Sequence, residues 1–469
     1  MMPNSGAETH GSEPRLTADL IRRYDRPGPR YTSYPTAVEF HDGVGEDDYR
    51  RKLAEANAAA ALPLSLYFHL PFCHERCTFC GCHVIITKKR ERALEYLGYL
   101  EREIDLVCRH LQQRRRVAQL HWGGGTPTYY SPGEMRQLHQ TVLDRFEILP
   151  GAEVAIEVDP RVTTHEHVDT LRELGFNRLS MGVQDFTPEV QAIISRYQDE
   201  PSTRELFDYC RRNGFDSINI DLIYGLPLQT QETFGRNLDA VIDLRPDRVA
   251  MYSFAFVPWK SGNQNVMTED MLPPPELKVE LYLLGLQKFI AAGYVQIGMD
   301  HFALPDDELS RALAGRRLHR NFMGYTTKPA ADSIAFGVSG IGDVQGAYIQ
   351  NHKAQDKYYE ALRAGRLPVL RGILLSRDDE IRRYVITQIM CNFHLDRRDV
   401  EQRFGLDFGR YFGPELQALQ EHERSGFLRL SDAGIEVTRI GRVFIRNIAM
   451  TFDRYLEDKK TEKTFSRTI

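Results

Sequence analysis

From Leu64 onward the chain alternates short apolar runs with longer stretches whose apolar residues recur at helical spacing. The run Leu64 to Leu70 is followed by a stretch in which Ala93, Leu97, Leu100, Ile104, Val107 and Leu111 keep a 4-3-4-3-4 spacing, which gives a helix one apolar face. Val117 to Trp122 reads as the next strand. Ser131-Pro132-Gly133-Glu134 then opens a helix with a capping box and proline at its first position. Further strands are expected over Val154 to Val158, Arg178 to Val183, Ser217 to Tyr224, Val249 to Phe256 and Tyr294 to Met299. Three helices between them are expected to stop at Gly175-Phe176, Gly214-Phe215 and Gly293-Tyr294, with glycine in the left-handed position and the aromatic packing back on the last turn. Six or seven such units in sequence predict an α/β fold on a parallel sheet with right-handed crossovers. Polar residues close run after run: His69, Gly123 to Thr126, Glu157 and Asp159, Gln184 and Asp185, Asp221, and Asp300 with His301. That recurrence favours a barrel over an open sheet, because a barrel gathers those strand ends at one mouth.

The flanks differ. Residues 1–48 are rich in Pro, Gly, Thr and charge and read as an N-terminal arm with little regular structure. Within it Arg30, Tyr31 and Tyr34, stiffened by Pro27, Pro29 and Pro35, offer a cation and two hydroxyls that could lie across a pocket. Residues 49–375 hold the barrel pattern. From Arg377 the chain turns to helices rich in Arg and Asp, over Ile381 to Phe393, Val400 to Phe404 and Pro414 to His422, and closes with Gly426-Phe427 and an alternating stretch from Leu428 to Val437. Residues 376–469 therefore read as a separate, mainly helical C-terminal domain.

Composition narrows the function classes. The chain has 469 residues, 42% hydrophobic and 27% charged, with a formal net charge of −5, which leaves no nucleic-acid footprint. No run approaches 18 apolar residues and the first residues lack the pattern of a signal peptide, so no membrane partner is expected and a cytoplasmic location is expected. An odd number of cysteines, seven, argues for reduced thiols over a disulfide framework.

Four of those seven fall within ten residues, in Tyr67-Phe-His-Leu-Pro-Phe-Cys73-His-Glu-Arg-Cys77-Thr-Phe-Cys80-Gly-Cys82-His83. Thiolates this close read as a metal or iron–sulfur site, since thiolate is the ligand that soft metals and clusters take. Tetrahedral zinc is the alternative, although it favours paired doublets separated in sequence, and Cys108, Cys210 and Cys391 lie scattered in helical patterns. His74 and His83 read as polar loop residues, and Cys391 as a buried thiol.

The C-x3-C-x2-C triplet resembles the signature of the radical S-adenosylmethionine (SAM) superfamily. With Cys82, with Trp122-Gly-Gly-Gly-Thr-Pro-Thr128, and with Gly28-Pro-Arg-Tyr-Thr-Ser-Tyr-Pro-Thr36, Met181-Gly-Val-Gln-Asp-Phe186, Asn321-Phe-Met-Gly-Tyr-Thr-Thr327 and Phe465-Ser-Arg, it resembles the oxygen-independent coproporphyrinogen III oxidase family nearly end to end. The resemblance implies a partial (β/α)6 TIM-like barrel with the cysteine loop after its first strand. It also implies a 4Fe–4S cluster on Cys73, Cys77 and Cys80 with one open iron, where SAM is split into methionine and a 5′-deoxyadenosyl radical. The SAM site it implies takes in Tyr67, Phe79, Gly81, Cys82, Gly124, Gly125, Thr126, Glu157, Gln184, Arg196 and Asp221. Tyr252, Ala255, Phe322 and Ile341 would line the adenosyl pocket and a second SAM, whose presence the sequence leaves open. Tyr67 and Cys82, with Arg30, Tyr31 and Tyr34 from the arm, are the expected catalytic residues.

The implied reaction is an oxidoreductase step of heme (porphyrin) biosynthesis. Two propionates of coproporphyrinogen III become vinyls, giving protoporphyrinogen IX, with an unidentified electron donor and acceptor and a monomeric protein. A heme-binding carrier of the same superfamily is the alternative, and a methyltransferase a more remote one. Cys82 and the N-terminal arm resemble the oxidases. One departure is Phe256, where the family carries His.

Overall fold

The computed structural model describes residues 16–456 apart from 260 and 329–331, together with 465, 467 and 468. They form two compact units, Thr32–Arg383 and a second built from 16–31 with 384 onward.

In the first unit β1 (Leu64–Leu70), β2 (Arg116–Gly124), β3 (Glu147–Val158), β4 (Arg178–Gln184), β5 (Ser217–Tyr224) and β6 (Arg248–Ser253) lie side by side in chain order, each neighbouring pair parallel. When consecutive strands are neighbours and every crossover has the same hand, the helices fall on one face and the sheet curls around the other. Side chains alternate between those faces. Leu120, Trp122, Val154, Met181, Ile218, Ile220, Val249 and Met251 are at most 4% exposed. The residues between them, Gln119, His121, Glu153, Glu157, Ser180, Asn219 and Asp221, line an interior cavity instead. The barrel thus carries its oil outside and its polar groups inside.

The first crossover helix, Arg90–His110, shows why the periodicity was informative. Ala93, Leu97, Leu100, Ile104 and Val107 are between 0 and 5% exposed, and burying an aliphatic side chain of this kind contributes about 1.5–3 kcal/mol. Ser131 caps the helix Pro132–Leu143 through the Glu134 amide, and the Glu134 carboxylate returns to the Ser131 amide at 2.7 Å. The three helix stops hold as well: Gly175, Gly214 and Gly293 have φ of 84°, 77° and 88°, and Phe176, Phe215 and Tyr294 are buried.

Three expectations need correction. The run expected over Tyr294 to Met299 is a strand, Val295–Gly298, but it does not continue the parallel series; it pairs antiparallel with His301–Ala303, which pairs antiparallel with β6. Two residues separate those strands, far too few for a parallel crossover. The run expected to reach Phe256 leaves the sheet after Ser253. On the other side of β1 lies Asp332–Phe336, a parallel partner outside the β-α rhythm, followed by three antiparallel strands ending at Leu374.

The third correction concerns the arm, which contains the helix Ala18–Tyr24, capped by Thr17, and the start of the helix Glu46–Ala58. Short helices are marginal alone; the first persists because Ile21 and Tyr24 are buried in the second unit. There Tyr24 meets Phe427 edge-on at 4.8 Å, Arg446 donates to the Pro29 carbonyl at 2.9 Å, and Thr468 N–H donates to the Arg26 carbonyl at 2.8 Å. The remainder of this unit joins the helices Arg397–Phe404 and Gly413–Arg424 to a three-stranded sheet in the order His394–Asp396, Gly434–Val437, Leu428–Ser431. Among the described residues no helix is long and apolar enough to cross a membrane.

Candidate active site

The carboxyl ends of the parallel strands frame a cavity of about 400 Å³. Cys73, Cys77, Cys80 and Cys82 line it from the loop after β1, Gly124, Gly125 and Thr126 from the end of β2 and just beyond, Glu157 and Asp159 from the end of β3 and just beyond, Gln184 from β4, Arg196 from the segment after it, and Asp221 from β5. Phe79 lines it too, while Gly81 beside it is exposed with open space around its α-carbon.

The strand exits pack against one another before any ligand is considered. Gly124, at φ 114°, would drive a Cβ to within 2.7 Å of the His69 ring, and Gly125 would meet the Pro71 carbonyl at 2.6 Å. These two glycines are therefore demanded by the fold itself, whatever else approaches them. The Gly125 and Thr126 amides donate to the Leu70 and Phe72 carbonyls at 2.9 and 3.0 Å, and the Thr126 hydroxyl sits 3.3 Å from Cys73 Sγ. Thus β2 braces the start of the cysteine loop.

Charge is arranged around the cavity in two groups. Glu157 receives the Gly124 amide at 3.1 Å and faces His121 Nε2 at 3.3 Å. Burial opposes its ionisation, but the His121 bond and charge and the Gly124 amide outweigh burial and hold the carboxyl below its ordinary range. Asp221 goes the other way, pushed up to about 7 first by burial and then by the nearby Glu157, against hydrogen bonds from Asn219 and Ser180. In the second group Arg196 and Arg161 share Asp159, at 3.1 and 2.6 Å, and both guanidinium groups reach Cys77 Sγ, at 3.6 and 3.7 Å. Burial disfavours the Asp159 charge, yet the two arginines prevail and keep its carboxyl below the usual value. Arg196 Nε is buried with no partner among the described residues.

The other expected residues lie elsewhere. Tyr67 points its hydroxyl at His69 Nδ1, 3.1 Å away, and stacks on His121; burial pushes His69 down to about 4, so its ring is neutral. Tyr252 lines the interior cavity and meets His301 edge-on at 5.6 Å. Ala255 accepts from Gln264 through its carbonyl, and Phe256 packs among Val190, Ile194 and Phe254. Phe322 and Ile341 pack together against Phe40, Tyr348 and Ile373. Tyr31 donates to Asp453 at 2.8 Å in the second unit, which also holds Arg30, whereas Tyr34 is buried in the first.

Sequence reasoning passed over Arg161, Asn263 and Gln264. Arg161 follows Asp159 by two residues, and a buried acid in a strand exit was the signal that a nearby cation would answer it. Asn263 and Gln264 lie in the short 3₁₀ segment Gly262–Val266, whose sequence carries no periodic or charge signal.

The donor set suits an iron–sulfur cluster with SAM. Three thiols share one cavity wall, two cations stand beside one of the sulfurs, and Arg196 holds an unused buried N–H suited to a carboxylate. A model of the radical SAM superfamily matches residues 67–241, and one of the HemN C-terminal domain matches 375–444. The chain is 45% identical to the oxygen-independent coproporphyrinogen III oxidase of Pseudomonas aeruginosa, over 97% of this chain and 99% of that protein. It is 43% identical to the one from Synechocystis sp., over 97% and 98%. A solved structure of the Escherichia coli coproporphyrinogen III oxidase, described as a radical SAM enzyme, superposes with a TM-score of 0.89 at 42% identity, covering 95% of this chain and all of that one. Shared sequence over nearly the full length, a shared fold and a cysteine-lined cavity at the strand exits place this chain in the oxygen-independent coproporphyrinogen III oxidase family of radical SAM enzymes.

Proposed function

We propose that the chain decarboxylates two propionates of coproporphyrinogen III oxidatively, leaving vinyl groups and protoporphyrinogen IX. The observation that carries this reading is the convergence of Cys73, Cys77 and Cys80 with Glu157, Gln184, Arg196 and Asp221 on one cavity, in a chain so similar to named oxidases. When bound, a 4Fe–4S cluster and SAM would supply the radical chemistry needed to take a hydrogen atom from a propionate, so that loss of carbon dioxide and of one electron to an acceptor would leave a vinyl group.

The protein's own groups do the rest. Cys73, Cys77 and Cys80 would hold the cluster, with Cys82 outside its ligand set. Arg196 would meet the SAM carboxylate, and Glu157 and Asp221 are suited to its ammonium or ribose hydroxyls. Arg161 and Arg196, by donating to the Cys77 sulfur, favour the more negative, reduced cluster. On the family resemblance, Tyr252, Ala255, Phe322 and Ile341 are assigned to the adenosyl pocket and a second SAM, and Arg30 is the cation assigned to a substrate propionate. The carrier reading is not favoured, since the full-length relatives above are named as oxidases.

The test is an anaerobic assay of reconstituted protein with SAM and coproporphyrinogen III, following 5′-deoxyadenosine and vinyl product together. Both are expected to rise in a constant ratio. Heme binding without either product would overturn the reading in favour of a carrier.

A further inference from the structure

The loop that carries the three cysteines has little regular structure of its own. A two-residue pairing of Phe72–Cys73 with Ile85–Ile86 closes its base, and the Cys80 amide turns back on the Cys77 carbonyl at 3.2 Å. Its conformation is imposed from outside. Thr78 is caught by the end of the helix Pro188–Ile194, its amide donating to the Ile194 carbonyl at 3.0 Å and its hydroxyl to the Ile193 carbonyl at 2.9 Å.

The second restraint is the single-turn segment Gly262–Val266. Asn263 Nδ2 donates to the carbonyls of Cys77, Thr78 and Cys80 at 3.2, 2.8 and 3.1 Å. Gln264, 1% exposed, donates from Nε2 to the Phe79 carbonyl at 3.4 Å and the Ala255 carbonyl at 3.1 Å, while its Oε1 accepts from the Val257 amide at 2.6 Å. Four consecutive carbonyls, Cys77 to Cys80, thus accept from two neighbouring side-chain amides. A peptide plane whose carbonyl direction is held restricts the dihedral angles on either side of it, and each cysteine's Cα–Cβ direction follows. Gln264 also ties the loop to the chain that leaves β6 at Ala255.

We propose that Asn263 and Gln264 are positioning residues for the cluster: they hold the Cys77 and Cys80 thiols in their working directions and register the loop with the β6 exit. This rests on the reading of Cys73, Cys77 and Cys80 as ligands. The chemistry makes a sharp demand. An asparagine amide offers two N–H donors, whereas an aspartate of the same shape offers only oxygens. Facing three carbonyls, Asn263→Asp is therefore worse than Asn263→Ala, although it changes fewer atoms. A residue that merely filled space would give the opposite order.

The experiment uses full-length protein reconstituted anaerobically, comparing wild type, Asn263→Asp, Asn263→Ala and Gln264→Glu. The roughly 410 nm cluster band is followed during exposure to an iron chelator, and EPR spectra of the reduced cluster are taken with and without SAM. Replacing the donors should speed bleaching about tenfold in Asn263→Asp, less in Asn263→Ala. In both, the EPR signal should broaden and respond less to SAM, with far-UV circular dichroism unchanged. Bleaching and spectra equal to wild type in Asn263→Asp, or a greater effect in Asn263→Ala, overturn the proposal. Should Asn263→Asp fail to fold, Asn263→Ala and Gln264→Glu decide: altered spectra support the assignment and wild-type spectra end it. Retention of the cluster in Cys77→Ser would instead refute the ligand reading.

Discussion

Inside the barrel unit Glu103, Arg114 and Asp332 are each at most 1% exposed, and every one is tied to several partners. Glu103 accepts from the Tyr358 hydroxyl at 2.6 Å, the Gly337 amide at 2.7 Å and the Asn351 amide at 2.6 Å. Arg114 pairs with Asp332 and donates to the Leu62 and Ala56 carbonyls. The unit built from 16–31 and 384 onward is filled mainly by rings: Phe427 stacks on Phe444 at 4.2 Å, and Phe412 meets Phe452 edge-on at 5.3 Å. Its buried Arg446 and Asn447 donate to the carbonyls of Gly28, Pro29 and Tyr24. The contrast teaches what each interior is sensitive to. A unit that must present charge inside is vulnerable to the loss of one partner atom, because the other partner stays buried and unpaired. A unit stabilised by area is vulnerable to lost volume.

The largest expected effect comes from single-atom changes at cysteines of the two units. Cys77→Ser should abolish both the roughly 410 nm absorbance and SAM cleavage, while Cys82→Ser retains the cluster. Cys391→Ser, also sulfur to oxygen and at a site 0% exposed in the other unit, should lower stability only modestly and leave turnover intact. Iron content and 5′-deoxyadenosine release measure this. A Cys391→Ser protein that lost its cluster would break the comparison.

Next in size are stability losses of different origin. Arg114→Met keeps volume but leaves Asp332 buried without its cation, at a cost of about 3–5 kcal/mol. Phe427→Ala should cost a similar amount, about 3–5 kcal/mol, by opening a cavity. Their rescues differ: Asp332→Asn should recover part of the first loss, whereas Phe427→Leu should be far milder than Phe427→Ala. Denaturant midpoints for the four variants decide the matter, and an Arg114→Met midpoint equal to wild type would sink the argument for the barrel interior.

The smallest effect is a pH dependence. Burial, opposed by the bonds from Tyr358, Gly337 and Asn351, pushes Glu103 up to about 7 from an ordinary value of 4.5. The folded protein therefore binds a proton there that the unfolded chain has released between those values. Stability from this group is fully present below about pH 4.5 and is lost as pH rises through 7; the whole swing is about 3 kcal/mol at 1.36 kcal/mol per unit. Midpoints measured from pH 5 to 8 should fall with pH, and less steeply in Glu103→Gln. An identical slope in that variant would mean that other groups carry the trend.

Much of the barrel was legible along the chain because its signals are local. The spacing from Ala93 to Leu111, the capping box at Ser131 and the glycine stops at 175, 214 and 293 each involve residues within a few positions of one another. The cysteine triplet and the polar residues at the strand exits were legible for a related reason: parallel strands connected in order must bring those exits together. The antiparallel turn at Met299 and Asp300 and the extra strand at Asp332 were not, since pairing direction is set by the partner and not by the pattern within the run.

By itself, then, the amino-acid sequence determined which runs form the barrel strands, which polar residues close them, where several helices begin and end, and which thiols stand close together. Only the tertiary structure decided what holds them. Arg161 and Arg196 meet Cys77 across about 80 and 120 intervening positions, and Asn263 reaches Cys77 across about 190. The helix Ala18–Tyr24 finds its core among residues more than 400 positions away, at Ser425 and Asn447. Contacts of that range leave no periodicity, because a hydrogen bond constrains donor and acceptor in space and says nothing about the chain between them.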